Sequence, residues 1–123
     1  MTIAIGLVCL VGLEHLGIMV LEMFAKPHQQ AKAFGLSEEY ARQPEARVAM
    51  ANQGIYNGML GLLLISTLWF FSGAVRFEVW SLLLLFVIVV AGYGGLTVGK
   101  KVWVLQMLPA VLAEGAVLAA WLG

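Results

Sequence analysis

At 123 residues, with 62% hydrophobic and 11% charged side chains, the chain is too short for several domains and far more apolar than a soluble one, which carries ~45–50% apolar and ~25% charged residues. Seven basic side chains balance seven acidic ones, all of them Glu, so no excess charge draws the chain to nucleic acid. A small soluble fold and a nucleic-acid binder are thereby excluded, and an integral membrane protein is left.

Four apolar segments carry that reading in chain order. Residues 2–24 are interrupted only by Glu14 and Glu22, residues 49–73 and 79–99 carry no charge, and residues 102–122 carry only Glu114. Each reaches the ~20 residues a helix needs to cross a ~30 Å hydrocarbon core. They are continuously apolar, without the alternation of barrel strands. The first is expected to be retained, since Met1-Thr2-Ile3-Ala4 has no basic residue, two ionisable residues interrupt the apolar stretch and no convincing Ala-x-Ala site follows. The expected fold is all-α: one transmembrane domain over 1–123, an antiparallel up-down four-helix bundle with short turns at 72–78 and 99–101.

The long connection, 25–48, has structure of its own. Pro27 ends or kinks the first helix, Gly35 interrupts the segment, Ser37 before Glu38 and Glu39 reads as an N-cap, and Pro44 with Glu45 suits the first turn of the next helix. Phe34, Leu36 and Tyr40 among charged neighbours suggest a segment lying in the interface. Lys26, Lys32, Arg42 and Arg47 fall in this connection and Lys100 and Lys101 in the last turn, against Arg76 alone in the 2–3 turn. Six of seven basic residues therefore share one side, which the positive-inside rule makes cytoplasmic, with both termini outside. The single Cys9 has no internal partner and reads as packing.

Ionisable groups at membrane depth are costly and face a cavity or a partner. Glu14 and His15 lie at the middle of span 1. His15 and Glu22 fall two turns apart on nearly one face, with Glu14 to its side. Asn52, Gln53, Tyr56 and Asn57 share a face of span 2, span 3 adds Tyr93, and span 4 adds Gln106 and Glu114. All of these sit in the cytoplasmic half or at the midplane, which points to a blind polar cavity open to the cytoplasm. The groups with acid/base capacity are His15, Glu14 and Glu114, Glu114 also being readable as a neutral acid bonded to Tyr or Asn. Glu22, Asn52, Gln53, Tyr56, Asn57, Tyr93 and Gln106 are the residues placed to hold a substrate or to bond between helices. Glu22 reads equally as a solvated or Lys26-paired carboxylate. No metal site is expected, because adjacent positions 14 and 15 diverge by ~100° and lack the i, i+4 geometry of a helical ligand pair. Gly54, Gly58 and Gly61, with Gly95 and Gly99, are close-approach faces, expected to serve helix packing and a homo-oligomer.

The strings Leu13-Glu14-His15, Leu21-Glu22-Met23-Phe24, Phe34-Gly35-Leu36, Ala51-Asn52-Gln53-Gly54-Ile55-Tyr56-Asn57-Gly58 and Gln106-Met107-Leu108-Pro109-Ala110 resemble domain-of-unknown-function family 1304. That resemblance implies a small four-span protein of the bacterial inner membrane and implies no activity. An embedded Glu in helix 1 is similar to that of small multidrug resistance transporters. Asn57-Gly58-Met59 resembles a run in styrene oxide isomerase, a haem enzyme whose haem histidine should lie just before it, where this chain has Ala51 and Asn52; no cofactor, haem or metal, is expected here. The leading functional expectation is a membrane-embedded isomerase- or hydrolase-like enzyme. It would act by acid/base chemistry on a small lipophilic molecule, such as an epoxide, taken from the cytoplasmic leaflet. The alternatives are a proton-coupled carrier and a structural subunit of a membrane complex.

Overall fold

In the computed structural model, which describes residues 1–123, the chain forms six α-helices: α1 Thr2–Phe24, α2 Pro27–Phe34, α3 Glu38–Arg42, α4 Pro44–Phe70, α5 Gly73–Thr97 and α6 Leu108–Leu122. A π-helical turn, Trp103–Met107, leads into α6. Four helical stretches, Thr2–Phe24, Pro44–Phe70, Gly73–Thr97 and Trp103–Leu122, are long and apolar enough to cross a membrane. The molecule is an all-α membrane bundle. Helices α4 and α5 begin at Pro44 and Gly73 rather than at 49 and 79, because hydropathy marks the apolar part of a helix, not its hydrogen-bonded ends. Glu45, Arg47, Arg76 and Glu78 all lie inside helix.

The bundle has two unlike ends. The hairpin end holds the α4–α5 turn and both termini; the basic end holds α2, α3 and the link from α5 to the π-turn. At the basic end Pro27 opens α2 instead of merely stopping α1. Its missing N–H is one the first turn leaves free anyway, and the Lys26 backbone N–H donates to Gln29 Oε1 at 2.9 Å. Gly35, at φ 68°, closes α2 in the left-handed region. Ser37 accepts from the Tyr40 N–H at 3.1 Å and starts α3 as its spacing predicts. Gln30 is buried beneath α1, where its amide nitrogen donates to the carbonyls of Leu21 (3.1 Å) and Glu22 (2.9 Å). Those carbonyls lie in the last turn of α1, where Leu21 has otherwise only a long bond from the Ala25 N–H at 3.3 Å.

Packing departs from simple up-down adjacency. Helix α1 lies between α4 and α6, and α6 between α1 and α5, whereas consecutive α4 and α5 share few contacts. The small-residue face of α4 explains this, because it is laid against α1. A Cβ at Gly61 would strike the Gly12 carbonyl, and one at Gly58 would strike Met19. Likewise Gly95 is the notch that receives the Trp103 indole, whose N–H donates to the Gly92 carbonyl at 3.0 Å. The Gly58 and Gly95 faces expected to meet another copy are therefore occupied within the chain.

Helices α4 and α5 are fastened at the hairpin end. Trp80 Nε1 donates to Thr67 Oγ1 at 2.5 Å, and Arg76 donates to the carbonyls of Phe71 (2.7 Å) and Leu68 (3.2 Å) while lying over the Trp80 ring. Arg76, the one basic residue off the basic end, thus caps the last turn of α4. The core occupies the same half: Ala4, Val8 and Val11 of α1, Leu64 of α4, Trp80, Leu84 and Val87 of α5, and Ala110, Ala113 and Val117 of α6. Below it α4 and α5 diverge.

Candidate functional site

The gap left between α4 and α5 is a cleft of about 540 Å³, within the ~300–1,000 Å³ of small-molecule sites. Eight of its twelve lining residues are hydrophobic, so it is a mainly apolar recess with a few polar groups rather than the polar cavity the sequence suggests. Leu60, Leu63, Leu83 and Phe86 line the part toward the hairpin end, and Gln53, Tyr56, Asn57 and Gln106 the part toward the basic end. The mouth is lateral: Tyr56, Leu63, Phe86 and Val90 are exposed on the two diverging helices. The recess stops where Trp80 meets Thr67, both buried.

His15 is the buried floor of the cleft, 2% exposed. Its Nδ1 lies 2.9 Å from the Val11 carbonyl, which can only accept, so Nδ1 carries the proton and neutral imidazole keeps its lone pair on Nε2. One helical turn back, the i−4 carbonyl is the natural partner for a side chain that points toward the N-terminus of its own helix. Beside it, Asn57 donates from Nδ2 to Glu22 Oε2 at 2.8 Å. Glu22 is buried, so neither the solvated nor the Lys26-paired reading describes it; its partner is the amide across the α1–α4 interface. The π-turn turns Gln106 into the cleft. The π-turn ends two residues before Pro109, whose ring would crowd the carbonyl four residues back in a regular helix.

Five of the ten residues singled out in the sequence, His15, Gln53, Tyr56, Asn57 and Gln106, line the cleft. Glu22 reaches it through Asn57. Asn52 does not: it is exposed, one position off the lining face, and its amide donates back to the Val48 carbonyl at 2.9 Å. Tyr93 is 70% exposed on the outward face of α5. Glu14 and Glu114 do not line it either. Glu14 is rotated by one residue from His15. Glu114 shares the face of α6 that carries Trp121, which stacks on Phe77 of α5. Each of these two carboxyl groups has one oxygen, Oε2, buried without a hydrogen-bond partner. No three His, Cys, Asp or Glu side chains converge as a metal site would need. Sequence reasoning missed the apolar wall from Leu83 and Phe86 and the Thr67–Trp80 closure; the one available signal was Thr67 and Trp80 flanking a very short turn.

Fold and cleft together define a class: a four-helix membrane protein with an intramembrane recess opening between two of its helices. The chain belongs to the family described as protein of unknown function (DUF1304), whose model matches residues 9–118. That stretch contains every residue of the cleft. The chain is similar to "Uncharacterized protein YpaA" of Lactococcus lactis subsp. lactis, 42% identical over 105 residues that cover 85% of this chain and 87% of that protein. No solved structure matches it.

Proposed function

We propose that the protein is a membrane-embedded enzyme that converts a small lipophilic molecule by proton transfer at His15. The observation that carries this reading is the His15 ring, buried at the floor of a ligand-sized cleft with Nδ1 tied to the Val11 carbonyl. Nε2 is thereby held as a base in a site that excludes bulk water. An isomerisation needs nothing further: Nε2 takes a proton from one atom of the substrate and returns it to another. The imidazolium formed in between is stabilised by the Val11 carbonyl it already faces. Gln53, Tyr56 and Gln106 are placed to orient the polar part of the substrate. Glu14 and Glu114, outside the cleft, have no part in this chemistry.

We place the basic end in the cytoplasm and the termini outside, in the inner membrane of a bacterium, on the distribution of Lys and Arg. The cleft then admits molecules from the cytoplasmic leaflet. Its closed hairpin end favours an enzyme over a carrier, since a carrier needs a second way out. The test is product formation. Protein in lipid nanodiscs, given a panel of oxygenated lipophiles, should yield a chromatographically new isomer, more of it as pH rises and imidazole loses its proton, and none with His15→Asn. If no compound in the panel changes, or if sealed vesicles show the protein moving substrate or protons across the membrane, the enzyme reading fails.

A further inference from the structure

Two of the polar groups in the cleft have no freedom in how they present themselves. The His15 ring has its proton on Nδ1, facing the Val11 carbonyl at 2.9 Å, so what it offers a ligand is a lone pair. The Asn57 amide nitrogen is committed to Glu22 Oε2 at 2.8 Å, across the α1–α4 interface; a carboxylate oxygen accepts, so the nitrogen cannot turn away without leaving that oxygen buried and unpaired. The atom Asn57 has left is its carbonyl oxygen. The side chains of Gln53, Tyr56 and Gln106, which line the cleft, form no hydrogen bond within the chain and can adapt to donor or acceptor. The fixed part of the site is thus a pair of acceptors, and no charged side chain lines it.

We propose that the cleft selects a neutral hydroxyl-bearing lipophile, its single O–H proton shared between His15 Nε2 and the Asn57 carbonyl oxygen, and that Glu22 is the positioning residue that sets this preference by fixing the Asn57 amide. The inference rests on the reading of the cleft as a substrate site and narrows the substrate class. An epoxide, ether or ketone brings only acceptors and meets two more. A carboxylate or phosphate would be stripped of water with no cation to receive it. The apolar body of an alcohol fits the wall formed by Leu60, Leu63, Leu83 and Phe86. That wall begins beside Asn57 and runs one to two turns, roughly 5–10 Å, toward the closed end. A membrane alcohol also arrives in the required pose, hydroxyl toward the basic end and chain toward the midplane.

The experiment is competition against a ten-carbon primary alcohol carrying a mid-chain diazirine, photolysed on the protein in nanodiscs, with the adducts mapped by mass spectrometry. Adducts should fall on residues 60–63 and 83–86. Unlabelled 1-decanol should compete about tenfold better than 2-decanone, 1-methoxydecane, decanoate or decylamine, the ratio that one hydrogen bond of ~1 kcal/mol or slightly more provides. Glu22→Gln, whose amide can donate or accept, should still be labelled but should narrow the alcohol-to-ketone ratio to about twofold or less. Equal competition by ketone and alcohol in the wild type, preference for the acid or the amine, adducts away from the cleft, or an unchanged ratio in Glu22→Gln would each overturn the proposal. The wild-type series decides the ligand class even if the variant does not fold. Selective binding of alcohols with no alcohol ever converted would uphold this inference and sink the enzymatic reading. Turnover of ketones or epoxides without alcohol preference would do the reverse.

Discussion

Trp80 is wholly buried, and its indole N–H has the Thr67 hydroxyl as its partner, which in turn donates to the Leu64 carbonyl at 2.6 Å. Thr67→Val keeps the shape and removes the acceptor, leaving a buried donor unpaired at a cost of roughly 1–3 kcal/mol. Trp80→Phe removes the donor as well, so the double variant should be less destabilised than the sum of the two single ones; thermal unfolding in detergent measures the cycle. The opposite sign is expected at Glu114. Its Oε2 is buried without a partner, so Glu114→Leu should raise stability by roughly 1–3 kcal/mol without affecting turnover. Loss of activity in that variant would return Glu114 to the site. The sequence made the depth of Glu14, His15 and Glu114 legible, because depth follows from position along an apolar run. It did not show which neighbour each residue faces. A step of one residue turns a side chain by ~100°, and that step puts His15 in the cleft and Glu14 out of it.

Among the elements, α1 and α4 form the closest pair, held by glycines whose added Cβ would meet Met19 or the Gly12 backbone. Gly58→Leu and Gly95→Leu should therefore unfold or loosen the single chain, by over-packing costing roughly 1–3 kcal/mol or more. They should not separate copies of it: light scattering in detergent should show the same oligomeric mass for whatever remains folded. A lower mass with an unchanged melting temperature would restore these faces as an interface between chains. Helix α2 depends on one side chain in the same way. Gln30→Ala removes the side-chain donor to the Glu22 carbonyl and leaves Leu21 only its long bond from Ala25, and should expose residues 27–36 to protease while leaving the four long helices intact. Neither the glycine partners nor the Gln30 cap could be read beforehand. A GxxxG step looks the same whether its partner is in the same chain or another, and a glutamine carries no mark of the carbonyls it will reach eight and nine residues back.

For the whole molecule, the four long helices were legible because lipid solvent demands unbroken apolar runs, and the order of charges along the chain gave its expected orientation. The orientation is tested directly: cysteines placed at 40 and 100 in a Cys9→Ala background should react with impermeant reagents only from the cytoplasmic side. Labelling of both from outside intact cells would invert the molecule. What no apolar run could disclose is that the bundle is fastened at one end and spread at the other, since this follows from which helix claims the small face of α4. That asymmetry has an electrical consequence. From Thr67 and Trp80 toward the hairpin end, buried apolar side chains of α1, α4, α5 and α6 pack against one another. The polar groups of the cleft reach only partway into the hydrocarbon layer, so the remaining thickness stays an insulator. On the proposed reading, a cell can carry many copies without short-circuiting its membrane potential, and a product formed in the cleft would return to the leaflet that supplied its substrate.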